Sequence, residues 1–148
     1  MEKTKEQAVE SIIAKNKKRK QKQSEIEAKN IGENVKEILE KCIKCGMCKS
    51  LCPVFKTLNE EQFSPRGRTI LMQNDCFDEV LFKCNLCKAC EYKCPLGIKV
   101  WEAVLKSREV INLRGKELKS NKEMIKNIKE TGNPFGKDPE KSGKLYCC

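Results

Sequence analysis

Histidine is absent from this sequence of 148 residues. Its absence excludes histidine-ligated haem, Rieske-type ligation, HExxH zinc catalysis and every histidine-based triad. Aromatic residues make up only 5% of the chain, so the apolar core is expected to be thin. No apolar run approaches the length of a transmembrane helix, and no secretory signal peptide is recognisable. We therefore expect a cytoplasmic protein that meets a membrane only through a partner, and acid–base catalysis is a poor fit to its composition.

Charge, by contrast, is plentiful: 31 Lys and Arg residues stand against 21 Asp and Glu, for a formal net charge of +10. A basic surface can meet nucleic acid, an anionic membrane or an acidic protein. The densest basic run, KNKKRKQK at residues 15–22, predicts an exposed helix or frayed arm in preference to a binding patch. Nucleic acid is disfavoured as a partner, because no aromatic residue that could stack on bases occurs between residues 1 and 54.

Eight of the 11 cysteines form two copies of one pattern, Cys-x2-Cys-x2-Cys-x3-Cys-Pro. The first copy consists of Cys42, Cys45, Cys48 and Cys52, and the second of Cys84, Cys87, Cys90 and Cys94. Zinc sites use two Cys-x2-Cys pairs with a longer loop between them and have no need of further cysteines so close behind. A disulfide framework is disfavoured because the chain lacks the character of a small secreted domain.

The cysteine run resembles the ligation pattern of bacterial two-cluster [4Fe–4S] ferredoxins. In those proteins the fourth cysteine ligates the other cluster, which implies a crossed assignment here. One cluster is then expected on Cys42, Cys45, Cys48 and Cys94, and the other on Cys84, Cys87, Cys90 and Cys52. Eight thiolates and two doubly positive cores would leave a net charge of about +6.

The remaining polar and apolar pattern predicts an all-helical domain with two cluster-binding loops and a basic N-terminal helical arm. Ser64 followed by Pro65 predicts a helix start, and Gly132 followed by Pro134 predicts a helix end. Valine and isoleucine spacing places one apolar stripe after the second cysteine run. The expected helices cover residues 33–41, 66–74, 77–83, 99–113 and 117–131. Cys76 is expected to pack as a small buried hydrophobe.

These features together resemble the α-helical ferredoxin domain that occurs in heterodisulfide reductase and in CCG-type iron–sulfur subunits. Such subunits serve glycolate, lactate and anaerobic glycerol-3-phosphate dehydrogenases. The likeness covers residues 35–140 and rests on the cysteine runs, on SPRGR at 64–68 and on GNPFG at 132–136. It implies a basic helical or flexible arm at 1–34, the two-cluster domain at 35–140 and a tail at 141–148.

The tail ends in Cys147 and Cys148 and resembles the opening of a CCG domain, which in relatives carries catalytic cysteines. The roles of these two cysteines stay open, as does the choice between a separate subunit, a split gene and a truncated product.

The chain on its own is not expected to be catalytic. The resemblance implies an iron–sulfur subunit that relays single electrons in an anaerobic oxidoreductase complex of heterodisulfide reductase type. The alternatives are an iron–sulfur subunit of a hydroxy-acid or glycerol-3-phosphate dehydrogenase and an iron–sulfur nucleic-acid-binding protein. A flavoprotein or CCG-domain catalytic subunit is the expected partner.

Arg66 and Arg68 are the candidate residues for tuning the clusters. A guanidinium beside a cluster with a net charge of about −2 would stabilise its reduced state and raise its potential. The alternative is a pair of solvent-facing side chains at a helix start, where they oppose the helix macrodipole.

Overall fold

The computed structural model describes the backbone of residues 2–116 and 118–137 and the side chains of residues 15–116 and 118–137. This part of the chain is helical and contains no β-strand, which confirms the all-α fold class. Short 3-10 segments cover Met47–Leu51, Glu61–Phe63 and Glu79–Lys83. The α-helices are α1 (Glu2–Leu39), α2 (Pro53–Leu58), α3 (Pro65–Gln73), α4 (Ala89–Lys93), α5 (Val100–Leu113) and α6 (Lys119–Thr131).

The core forms where α1, α3 and α5 pack against one another. The apolar stripe predicted after the second cysteine run is confirmed, because Val100, Ala103, Val104 and Ile111 are all buried on α5. They meet buried side chains of the other two helices, namely Ala28, Val35, Leu39 and Met72. Four half-buried cysteines pack against this cluster, so the core continues into the two cysteine loops: they are Cys42, Cys84, Cys90 and Cys94.

The predicted start of α3 is confirmed. Ser64 is its N-cap, its hydroxyl accepts a hydrogen bond of 2.8 Å from the backbone N–H of Gly67, and Pro65 is the first helical residue. The predicted end of α6 is confirmed as well, because Gly132 closes it in a left-handed conformation with φ of 73°. That helix begins at Lys119, two residues later than expected, and Glu117 lies outside the described residues.

The N-terminal arm is helical, as expected, but it is not separate from the helix expected at 33–41. The two form one helix, α1, which runs without interruption to Leu39. Gly32 does not break it, because this position is buried beside the ring of Phe77, where a small residue fits. The basic run at 15–22 lies on this helix and is exposed throughout, as expected for a solvated helix surface.

The segment between α3 and the second cysteine loop also differs from the expectation. The helix predicted at 77–83 begins only at Glu79, is of the 3-10 type and is capped by the side chain of Asp78. Cys76, predicted to be buried, is exposed. The physical reason is the turn at Asp75, whose φ of 59° reverses the chain and turns Phe77 into the core in its place.

None of the helices among the described residues is both long and apolar enough to span a bilayer. The tail at 141–148, with Cys147 and Cys148, lies outside the described residues.

Candidate functional site

The two cysteine loops share one backbone conformation. In each loop the residue before the second cysteine has a positive φ, 57° at Lys44 and 54° at Leu86. The residue after it does as well, 85° at Gly46 and 62° at Lys88. Three of these four residues are not glycine, and such strained positions persist only where the surroundings hold them, as they do at functional sites. The sequence repeat is therefore also a repeat of structure.

The fourth cysteine of each run lies where a short helix ends. Cys52 follows the 3-10 segment Met47–Leu51 and Cys94 follows α4, with ψ angles of 113° and 121°. Each backbone N–H donates a hydrogen bond to a carbonyl three residues earlier, at 3.1 Å and 3.0 Å. The 3-10 segment and α4 pack against each other, so each fourth cysteine is held next to the opposite loop.

Two neighbouring cavities collect the cysteines. The first is bordered by Arg66 and by the thiol-bearing residues Cys42, Cys45, Cys48, Cys90 and Cys94. The second is bordered by Arg68 and by Cys52, Cys84, Cys87 and Cys90. Cys90 and Val100 border both, so a single layer of side chains separates the two cavities.

The cysteine thiols are spread around the walls of the two cavities and do not converge on one position. Among the described residues, no three or more Cys, Asp or Glu side chains form a group that could hold a single metal ion. Buried Thr69, Ile98 and Val100 form the inner wall of the first cavity. Its mouth is apolar and exposed, with Ile43 and Leu96 on the rim. The first cavity thus has a buried inner wall and an exposed, apolar rim.

The thiols influence one another's protonation. The pKa of Cys48 is raised to about 11, first by burial and then by the nearby Cys42, Cys45 and Cys94. Burial likewise raises the pKa of Cys90 to about 11, with contributions from Cys84 and from Cys48. Both thiols are therefore protonated at neutral pH when no metal is bound, and ligation must displace their protons.

Arg66 lies at the first cavity and is paired with a carboxylate. Its Nε donates to Oε1 of Glu61 at 2.7 Å, and Lys49 donates to the other carboxylate oxygen at 2.7 Å. The hydrogen bond from Arg66 is the largest cause of a lowered pKa at Glu61, from 4.5 to about 2. The Arg66 side chain is 34% exposed, so water also solvates it.

Arg68 is in the opposite situation. It is 1% exposed and borders the second cavity, yet its Nε and Nη2 are buried without a hydrogen-bond partner. Arginine does not lose its proton in proteins, so this is a buried charge. Of the two alternatives for the arginine pair, solvent exposure is wrong for Arg68.

Arg108 is a residue whose position sequence reasoning missed. From α5 it donates hydrogen bonds to the carbonyls of Leu81 and Phe82 at 3.0 Å and 3.2 Å and also to that of Cys84. It thus fixes the chain as it enters the second cysteine loop. Nothing local in the sequence indicates this role, because its acceptors lie more than 20 residues away.

The residues at the two cavities fit iron–sulfur clusters. Thiolates are the soft ligands that such clusters require. Burying a guanidinium without a partner costs roughly several kcal/mol of desolvation free energy, even after the structure relaxes. Four thiolates around a doubly positive core carry a charge of about −2 and offer sulfur acceptors. Arg68 at the second cavity therefore has the charge and the donors that suit such an occupant.

Comparison with known proteins agrees. Residues 38–98 match the family described as "4Fe-4S dicluster domain". The chain is 31% identical over 87 residues to the glycolate oxidase iron-sulfur subunit of Escherichia coli, an alignment covering 53% of this chain and 21% of that protein. It is 31% identical over 104 residues to the probable glycolate oxidase iron-sulfur subunit of Bacillus subtilis, covering 60% and 23%. Lactate utilization protein B of Bacillus thuringiensis is 29% identical over 89 residues, covering 55% and 19%.

The chain thus spans about a fifth of the length of these relatives. The matched region contains both cysteine runs, both arginines and most of the lining of both cavities. The match to the 4Fe-4S dicluster domain thus lies on the residues that border the cavities, and the chain is an iron–sulfur protein with two [4Fe–4S] clusters, similar to the iron–sulfur subunits of glycolate oxidase.

Proposed function

We propose that this chain relays single electrons through its two clusters as the electron-transfer component of an oxidoreductase complex. The observation that carries the proposal is the pair of neighbouring cavities, separated by Cys90 and Val100 and bordered by the eight cysteines of the two runs. Each cluster, when bound, can accept and release one electron. Short separation between carriers is what a relay requires, and a shared wall provides it.

Crossed ligation is part of the proposal. Cys42, Cys45, Cys48 and Cys94 would hold one cluster, and Cys84, Cys87, Cys90 and Cys52 the other. The lining of the cavities supports this assignment, because Cys94 faces the first and Cys52 the second. The protein's own part is to hold thiolates on a rigid frame and to exclude water with Thr69 and Val100.

A catalytic subunit, either a flavoprotein or a CCG-domain protein, is the proposed partner. The mouth of the first cavity supports contact with another protein, because Ile43, Met47 and Leu96 are apolar and 72%, 49% and 51% exposed. We propose a cytoplasmic complex of heterodisulfide reductase type that works under anaerobic conditions, on the strength of the SPRGR and GNPFG segments. The division into an arm at 1–34, a domain at 35–140 and a tail at 141–148 is part of this proposal.

A second candidate has its own support. The similarity to glycolate oxidase iron-sulfur subunits favours a complex that oxidises a hydroxy acid. The two candidates differ in the partner, so each catalytic subunit would be co-expressed anaerobically with the tagged chain. A stable complex in which the reduced flavoprotein passes electrons to the chain supports the hydroxy-acid candidate. Electron transfer only to or from a CCG-domain protein supports the heterodisulfide reductase type.

The ligand assignment is tested in a chain that retains only one cluster. Serine at Cys84, Cys87 and Cys90 should abolish the second cluster and leave about four irons on the first. In that background, Cys94→Ser should alter the remaining EPR signal and Cys52→Ser should not. Cys76→Ser is the matched control, since Cys76 is exposed and borders neither cavity. If Cys52→Ser alters the signal and Cys94→Ser leaves it unchanged, each run ligates its own cluster and the crossed assignment is wrong.

A further inference from the structure

Two arginines that are two residues apart on α3 face different cavities. Arg66 borders the first and Arg68 the second. A helix advances its side chains by about 100° per residue, so positions two apart point to nearly opposite sides. The cavities lie on either side of this helix start, and each therefore receives one guanidinium.

The two guanidinium groups differ in how much of their charge is available to the cavity. Glu61 lies 2.7 Å from Arg66 and offsets part of its charge, since the same carboxylate also pairs with Lys49 at 2.7 Å, and the Arg66 side chain is partly solvated. Arg68 forms no ion pair among the described residues, and two of its nitrogen atoms, Nε and Nη2, are buried and unpartnered. A charge acts most strongly where water and counter-ions are excluded. The second cavity thus holds the more deeply buried and less paired guanidinium.

We infer that Arg68 donates Nε–H and Nη2–H hydrogen bonds to sulfur of the cluster in the second cavity and makes that cluster the more easily reduced of the two. Hydrogen bonds to sulfur and nearby positive charge both stabilise the reduced state. The inference rests on the proposed function and deepens it. Electrons would collect on the second cluster.

The position of Arg68 is unusually well fixed. Gly67 and Thr69 on either side of it are buried, and its backbone N–H donates to the carbonyl of Ser64 at 3.0 Å. A Cβ on Gly67 would lie 1.9 Å from the carbonyl oxygen of Glu61, so the start of α3 approaches the neighbouring segment as closely as the backbone allows. These contacts fix the backbone at Arg68 and burial restricts its side chain, so the planar guanidinium loses little further freedom on contacting the cluster.

The test is an EPR-monitored redox titration of the full chain, reconstituted anaerobically with iron and sulfide. The wild-type protein should show two midpoint potentials. Arg68→Met should lower the higher one by at least tenfold in the reduction equilibrium, about 59 mV for one electron, and leave the other unchanged. Arg68→Lys keeps the charge but loses the fork of donors, so its shift should be smaller. Arg114→Met is the matched control, because Arg114 is exposed and borders neither cavity.

Cys87→Ser identifies the second cluster, since Cys87 borders only that cavity and serine alters the signal of the cluster it ligates. Two equal potentials in the wild type would overturn the inference, as would an Arg68→Met protein with full iron and unchanged potentials. If the Arg68→Met protein fails to bind iron, the potentials of the Arg68→Lys protein are measured in its place. Potentials equal to those of the wild type in that protein would also overturn the inference. A wild-type chain that binds no iron would instead remove the proposed function, so the two failures are distinguishable.

Discussion

Replacing Gly67 by alanine should be among the most damaging single-methyl changes in the described part of the chain. The added Cβ would lie 1.9 Å from the carbonyl oxygen of Glu61 and 2.7 Å from its carbonyl carbon. Both are backbone atoms, so no side-chain rotation relieves the clash and the segment Glu61–Phe63 must move away from α3. That movement pulls Glu61 off Ser64 and Arg66, its hydrogen-bond partners at 3.0 Å and 2.7 Å.

The loss of folding free energy caused by Gly67→Ala has two main contributions. Overpacking of a tight contact costs about 1–3 kcal/mol, and losing the Ser64 cap or its hydrogen bonds adds about 1 kcal/mol. A total of about 3 kcal/mol corresponds, for a chain of this size, to a fall of about 6–12 °C in the unfolding midpoint. Arg66 and Arg68 flank Gly67, so both cavities should also lose iron.

The assay is the thermal midpoint of cluster absorbance under argon, together with iron content per chain. Gly32→Ala is the matched control. Its Cβ would meet only the ring of Phe77 at 3.6 Å, an ordinary contact, and alanine in a helix is favoured over glycine by about 1 kcal/mol. The control should therefore be neutral or slightly stabilising. Equal midpoints for Gly67→Ala and Gly32→Ala would refute the close approach on which the reasoning depends.

Single contacts at three other places give further predictions. Arg108→Met removes the donor that serves three carbonyls, Cys84 among them, which should lower the free energy of unfolding by about 3 kcal/mol. Iron analysis should show that the second cavity loses iron first. Full iron occupancy of both cavities would contradict this role of Arg108. Glu61→Gln should release the charge of Arg66 and raise the potential of the first cluster. Because the pKa of Glu61 is lowered to about 2, its contribution to stability is fully present above its ordinary pKa of 4.5 and is lost as pH falls through 2. The potential of the first cluster should therefore not change with pH between about 5 and 9 through titration of Glu61, and such a change would contradict the pairing with Arg66. Lys44→Gly should keep full iron, since φ is 57° there, whereas Lys44→Val should reduce it; equal iron in both would show that the loop tolerates any residue.

Sequence reasoning was sufficient where the determining interactions are local. The spacing of the cysteine runs predicted two equivalent loops, and the loops share positive φ values at matching positions. Ser64 and Pro65 predicted the start of α3 because a cap and a fixed φ act within one helical turn. Gly132 predicted the end of α6 for the same reason.

Sequence reasoning was insufficient where contacts between residues far apart in the chain determine the structure. Nothing near Arg66 and Arg68 in the sequence indicates that one is paired with Glu61 and the other is buried without a partner. Phe77 takes the core position that was expected for Cys76, because a turn at Asp75 determines which of them points inward. The last turns of α1 are buried against α5 through Val35 and Leu39, and the polar sequence of the helix does not reveal this packing.

The central claim is that the two cysteine runs hold two [4Fe–4S] clusters in adjacent cavities. The most direct measurement is iron and sulfide content of the anaerobically reconstituted full chain, combined with low-temperature EPR after complete reduction. The account predicts about eight irons and about eight sulfides per chain, with two spin signals that broaden each other because the clusters are close. Two tightly bound zinc ions per chain, or two signals with no sign of interaction, would contradict it.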